Sequence, residues 1–92
     1  MKTHDIKIQK EYFDLILSVE KEYELRKNDR DYKIGDIVIL REIGSKEVET
    51  GRYFITEIAH VLKEFEGLIA GYCIFTFIII ETHIPPNTCQ KK

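Results

Sequence analysis

Apolar and polar residues alternate over His4–Ile8, Ile6 and Ile8 against Asp5 and Lys7, which is the two-residue period of a half-buried strand. From Lys10 to Glu20 the period lengthens to that of a helix. Phe13, Ile16 and Leu17 share one face, widened by Tyr12, Leu15 and Val19, while Asp14, Ser18 and Glu20 take the face toward water. Lys21 and Glu22 follow where this helix should end. Lys21 there sets a cation near the negative end of the helix dipole, although no glycine marks the stop. The next stretch, Tyr23–Leu40 (YELRKNDRDYKIGDIVIL), reads as a short strand, a tight charged turn and a second strand. In the first of these strands the alternation is expected to bury Tyr23 and Leu25 and to turn Glu24 and Arg26 together toward an open face.

Asp36–Ile43 continues as a strand, and Gly44, Ser45 and Gly51 bracket a polar loop. Arg52–Phe65 is the returning strand. Its apolar period, carried by Tyr53, Ile55, Ile58 and Val61, slips once near Ala59, as a β-bulge would make it do, and a bulge bends a sheet toward closure. Gly67–Gly71 (GLIAG) is a short turn or a single helical turn. Tyr72–Glu81 (YCIFTFIIIE) is the most apolar, β-branched segment and is expected to be a central strand covered on both faces. Pro85 and Pro86 end regular structure, dividing a domain at residues 1–84 from a tail at 85–92 expected to be disordered. One helix and about five strands without regular βαβ alternation predict an α+β domain whose sheet can curl into a barrel.

Composition narrows this further. With 92 residues there is room for one core and not two, and 43% hydrophobic with 33% charged residues is the balance of a globular domain. A net charge of −2 argues against bulk, nonspecific binding to nucleic acid, which needs many phosphate contacts. Locally the sign reverses: between Lys21 and Arg41 six basic residues face five acids. Cys73 and Cys89 form no CxxC pair, and neither a secretory h-region nor an apolar run of about 20 residues is present, so a reduced, cytoplasmic protein without a membrane span is expected.

The charged turn carries the candidate chemistry. Arg26 offers a planar, bidentate donor to a phosphate or base edge, with Glu24 as acceptor beside it; the structural alternative is an ion pair. Lys27, Arg30 and Lys33 are placed to meet a nucleic-acid backbone or to form a solvated face. Asn28 and Asp29 have the chemistry of turn formers, as do Gly35 and Asp36. Tyr53 and Tyr72 are candidates for base stacking, or for the core. His4, His60 and His83 lack metal-ligand spacing, and no phosphate loop or nucleophilic triad is recognisable; neither a metal nor a cofactor is expected.

With these residues laid out, the chain resembles an ASCH domain of the PUA-like superfamily, and more narrowly the small bacterial and phage proteins grouped as DUF3850. The matching pieces are His4–Ile8, YFDLILSVEK, YELRKNDRDYKIGD, ILRE at Ile39–Glu42, TGR at Thr50–Arg52 and GLIAGY at Gly67–Tyr72, with RKNDRDYKIGD the most specific. The resemblance implies a small PUA-like β-barrel of about five or six strands with one main helix beside it, and a cleft between helix and barrel. It implies RNA or a nucleotide-like small molecule as partner, held by Lys21, Glu24, Arg26, Lys27, Asn28 and Arg30. Some ASCH proteins are amidohydrolases acting on an acylated cytidine through a lysine, a threonine three residues on and a later glutamate. Lys21 matches the lysine, but Glu24 stands at the threonine position, and neither Glu64 nor Glu66 can be assigned to the glutamate. If the chain is an enzyme, Lys21 and Glu24 are therefore its catalytic candidates. A third reading is a protein-interaction or oligomerising module built on Tyr72–Ile80; the sequence leaves the oligomeric state open.

Overall fold

A computed structural model describes residues 1–19, 21–64 and 66–86. The chain runs β1 (Thr3–Gln9), α1 (Lys10–Leu17), β2 (Tyr23–Lys27), β3 (Ile37–Ile43), a short 3₁₀ turn (Ser45–Glu47), β4 (Glu49–Lys63) and β5 (Tyr72–His83). The five strands form one sheet in the order β1-β3-β4-β5-β2, so that β1 and β2 are its two ends. Only β1 and β3 pair in parallel; β3–β4, β4–β5 and β5–β2 are antiparallel. The sheet curls into a half-barrel. Its ends face each other across a seam that Arg26 bridges, Nη2 donating to the Lys7 carbonyl at 2.7 Å. This is the α+β, barrel-like architecture that the periodicity predicted.

The bend has local causes. In the β4–β5 ladder Ile58 pairs with Phe77 and His60 with Thr76, leaving Ala59 unpaired, the bulge expected from the slipped period. A second shift leaves Ile80 unpaired on β5, where no pattern in the sequence had suggested one. Inside the curl lies one core, with Ile6, Ile8, Val38, Leu40, Phe54, Ile58, Phe75 and Phe77 from the strands and Phe13 and Ile16 from α1. Phe13 stacks on Phe54 with ring centroids 4.2 Å apart, which fixes α1 against the sheet.

Several expectations change. The helix stops at Leu17 rather than Glu20, because Val19 adopts a left-handed conformation at φ 64°, the role a glycine usually fills after a helix end. Its buried stripe is correspondingly narrow: Phe13 and Ile16 are buried, while Tyr12, Leu15, Leu17 and Val19 are exposed. Gly51 falls within β4 and not in a loop, with φ 96° beside Pro85. Nor is β5 covered throughout. β2 pairs with it only from Tyr72 to Thr76; beyond that point β5 is a free edge, and Ile78, Ile79 and Ile80 are exposed. Such an edge invites pairing with another chain, and the bulge at Ile80 falls within this part of the strand. The expected tail begins with Pro85 and Pro86; residues 87–92, Cys89 among them, lie outside the described residues. Among the described residues no helix is long and apolar enough to cross a membrane.

Candidate functional site

β2 carries the largest departure from expectation. Tyr23 and Leu25 are exposed, whereas Glu24 and Arg26 point inward, Glu24 being only 6% accessible. Pairing with β5 decides this: Glu24 lies opposite Phe75 and Arg26 opposite Cys73, both of which face the core, and directly opposed residues share a face. The acid and the guanidinium therefore do share a side of the strand, but it is the concave one.

There they form a chain of charge. Lys21 Nζ donates to Glu24 Oε1 at 2.5 Å and also to the Tyr23 carbonyl, and Arg26 Nε donates to Glu24 Oε2 at 2.8 Å. Both oxygens of Glu24 are thus engaged, and the carboxylate serves to orient its two cations. Arg26 itself is anchored on two sides, by Glu24 and by the Lys7 carbonyl. A guanidinium has five N–H donors, and these two contacts leave three without a partner among the described residues.

Arg26 lines a cleft of about 440 Å³ in the seam, which has Asp5, Ile6 and Lys7 on one wall and Lys27, Asp29, Arg30 and Tyr32 beside Arg26 on the other. Of its two carboxylates, Asp5 is already bound by Arg41 Nε at 2.8 and 3.0 Å. Lys7, Arg26, Lys27 and Arg30 then outweigh Asp29, making the cleft cationic on an anionic protein. A second hollow of about 300 Å³ adjoins it, lined by Tyr12 of α1 with Lys21, Tyr23, Glu24 and Leu25. The six candidate residues are divided accordingly: Arg26, Lys27 and Arg30 line the seam, and Lys21 and Glu24 the hollow beside α1. Asn28 lines neither. Its Oδ1 accepts the Tyr32 N–H at 3.1 Å and its own N–H donates to the Gly71 carbonyl, which is the work of a turn former. Tyr53 and Tyr72 stand elsewhere, Tyr53 stacked on His83 and Tyr72 beside Leu25, Leu68 and Ile69.

Three supporting features escaped the sequence reading. Tyr32, in the middle of the charged turn, is buried, its ring 4.7 Å from that of His4 and 4.8 Å from that of Phe75, so the turn is pinned into the core. His4 and Asp36 are both buried and bonded, Nε2 to Oδ2 at 2.8 Å, and Asp36 also accepts the N–H groups of Lys2 and Lys33. Burial works to raise the Asp36 carboxyl, but these three donors outweigh it and hold the group below its ordinary range. Asp36→Ala strips His4 and two amides of their acceptor at once. We expect it to cost about 1–2 kcal/mol, read as a lowered urea midpoint with unchanged slope.

The third is a buried ion pair between β3 and β4. Glu42, 2% accessible, accepts from Arg52 Nε at 2.8 Å, from Arg52 Nη2 at 2.5 Å and from the Thr50 hydroxyl at 2.5 Å. Arg52 also reaches Asp14 of α1 at 3.2 Å and lies over the Phe13 ring at 4.6 Å. Glu42 had a visible signal: it shares strand parity with Val38 and Leu40, so an acid was due on the buried face and needed a partner. Among the described residues no cluster of three or more His, Cys, Asp or Glu side chains is arranged to hold a metal.

Comparison with known proteins agrees with the motif pattern. The chain is 35% identical over 69 residues to an "Uncharacterized 12.9 kDa protein in GpA 3'region" of Escherichia phage P2, a match covering 70% of this chain and 63% of that relative's length. The chain thus spans less than two thirds of the relative it matches. A family model described as a domain of unknown function, DUF3850, matches residues 3–77, from the first strand through the core of the last, and the chain belongs to that family.

Proposed function

We propose that this chain is a noncatalytic module that binds RNA or a nucleotide-like ligand, on a scaffold of the ASCH, PUA-like kind, with the ligand's phosphate in the seam between β1 and β2. The observation that carries the proposal is Arg26, held by Glu24 and by the Lys7 carbonyl, which lines a cationic cleft and keeps three donors without a partner among the described residues. An arginine fixed in this way has its orientation settled before the ligand arrives, and a planar fork suits phosphate oxygens. The cleft volume lies within the range of small-ligand sites, about 300–1,000 Å³.

Titration of an oligoribonucleotide panel and mononucleotides at low and moderate salt tests this. Binding that weakens as salt rises is expected, and Lys27→Ala or Arg30→Ala is expected to reduce the log–log salt slope by about one each where the residue meets a phosphate. Absence of binding at low salt removes the proposal.

The contact between Lys21 and Glu24 in the neighbouring hollow favours a second reading, an amidohydrolase of acylated nucleosides with these two residues in proton transfer. It ranks second because Lys21 is committed to Glu24 and to the Tyr23 carbonyl. Incubation with N4-acylated cytidines, wild type beside Lys21→Ala, separates the readings: turnover that the variant loses would establish the enzyme.

A further inference from the structure

We infer that the ligand of the seam is a single-stranded polynucleotide, one base of which stacks at Tyr12 and Tyr23 while a neighbouring phosphate lies against Arg26. This rests on the seam being a nucleotide site and adds a second half to it. Tyr12 is 45% and Tyr23 50% accessible, and neither is used by the core. They come from different elements, α1 and β2, yet both approach Lys21, whose Nζ lies 5.7 Å from the Tyr12 ring centre and 4.8 Å from that of Tyr23. Two exposed rings flanking one cation make a surface suited to the face of a nucleobase.

This hollow has no lining residue in common with the seam but is joined to it by one ion pair. Glu24 lines the hollow, Arg26 lines the seam, and the two are bonded at 2.8 Å. Along β2, Tyr23 to Arg26 spans about 10 Å at the usual strand rise, and the two side chains leave opposite faces of this end strand, so a base at Tyr23 and a phosphate at Arg26 lie on either side of its free edge, farther apart than the phosphate and base of one nucleotide. A mononucleotide seated in the seam leaves the tyrosines uncovered; a strand of two or three residues covers both hollows. Duplexes are disfavoured, because paired and stacked bases hide the faces the tyrosines would meet, and stacking of this kind tolerates any base.

The test is a length series on the full chain: a 5′-phosphorylated mononucleotide, a trinucleotide, a hexanucleotide and a 12-base-pair duplex. Binding is read by anisotropy and by tyrosine emission, which no tryptophan obscures. The trinucleotide should bind about tenfold or more tighter than the mononucleotide, in keeping with one stacked base. The Tyr12→Ala/Tyr23→Ala variant should bring that ratio close to one, and Tyr12→Phe/Tyr23→Phe should restore it, since the ring and not the hydroxyl does the stacking. Equal affinity for mononucleotide and trinucleotide, a ratio that survives the double alanine variant, or tighter binding of the duplex would overturn this inference while leaving the seam as a nucleotide site. Failure of every member of the series to bind would remove the seam reading, and this one with it.

Discussion

Arg52→Ala is expected to lower the stability of the fold by about 3–5 kcal/mol at neutral pH, the cost of leaving one member of a buried ion pair alone. For a domain whose total stability is on the order of 5–14 kcal/mol, that is enough to leave much of the chain unfolded under mild denaturant. The cause is local: Glu42 keeps its three bonds only while Arg52 supplies two of them, and the same guanidinium ties Asp14 and Phe13 of α1 to the sheet. The pH dependence distinguishes this from simple loss of packing. Burial acts to raise the Glu42 carboxyl, but Arg52 and Thr50 outweigh it and hold the group below its ordinary value of 4.5. Its contribution in the wild type is therefore present above the unfolded value and lost as pH falls through the lower folded one. In Arg52→Ala burial acts with the arginine gone, so the penalty is largest where the group is charged and is relieved by acid. Urea unfolding of both proteins at pH 7 and near pH 3.5 should show the gap shrinking at the lower pH. A gap of constant size would mean that the arginine matters for its packing alone.

Arg26→Ala is expected to weaken nucleotide binding by about 10- to 100-fold, as removal of a charge-assisted, two-pronged contact does. Arg26→Lys is the informative companion. It keeps the charge, and with it the salt dependence, but loses the fork, so most of the affinity should go while the slope stays. Glu24 retains Lys21 in either variant, so the fold should hold, and a circular dichroism melt checks this. Equal binding by Arg26→Ala and wild type would show that the seam does not take the phosphate.

Part of the fold was legible because it follows from local period: β1 alternates cleanly, and the slip near Ala59 marked its bulge, but on β4 the period was read through Tyr53 and Ile55, whereas Phe54, Thr56 and Ile58 are the buried residues. Which side of β2 faces in was not legible. Alternation tells which residues share a face, and only the partner's register tells which face is covered; here Phe75 and Cys73 of β5 drew Glu24 and Arg26 inward. The partnership of His4 with Asp36 spans 32 residues and depends on the parallel pairing of β1 with β3, which no hairpin signal announces. The exposed isoleucines of β5 misled for a different reason: an apolar run measures the tendency to be covered, and Ile78, Ile79 and Ile80 lie past Phe77, the last β5 residue in the core. For the site, sequence singled out the charged segment but not its division by Glu24 and Arg26 between two hollows.

The most direct measurement is an amide and arginine side-chain NMR titration of the uniformly ¹⁵N-labelled chain with a short oligoribonucleotide. The seam account expects the Arg26 Nε–H resonance and the amides of Lys7, Lys27 and Arg30 to move together and saturate at one site. Shifts confined to the outer face of β5, or an Arg26 side chain that stays still while the oligonucleotide binds elsewhere, would contradict it.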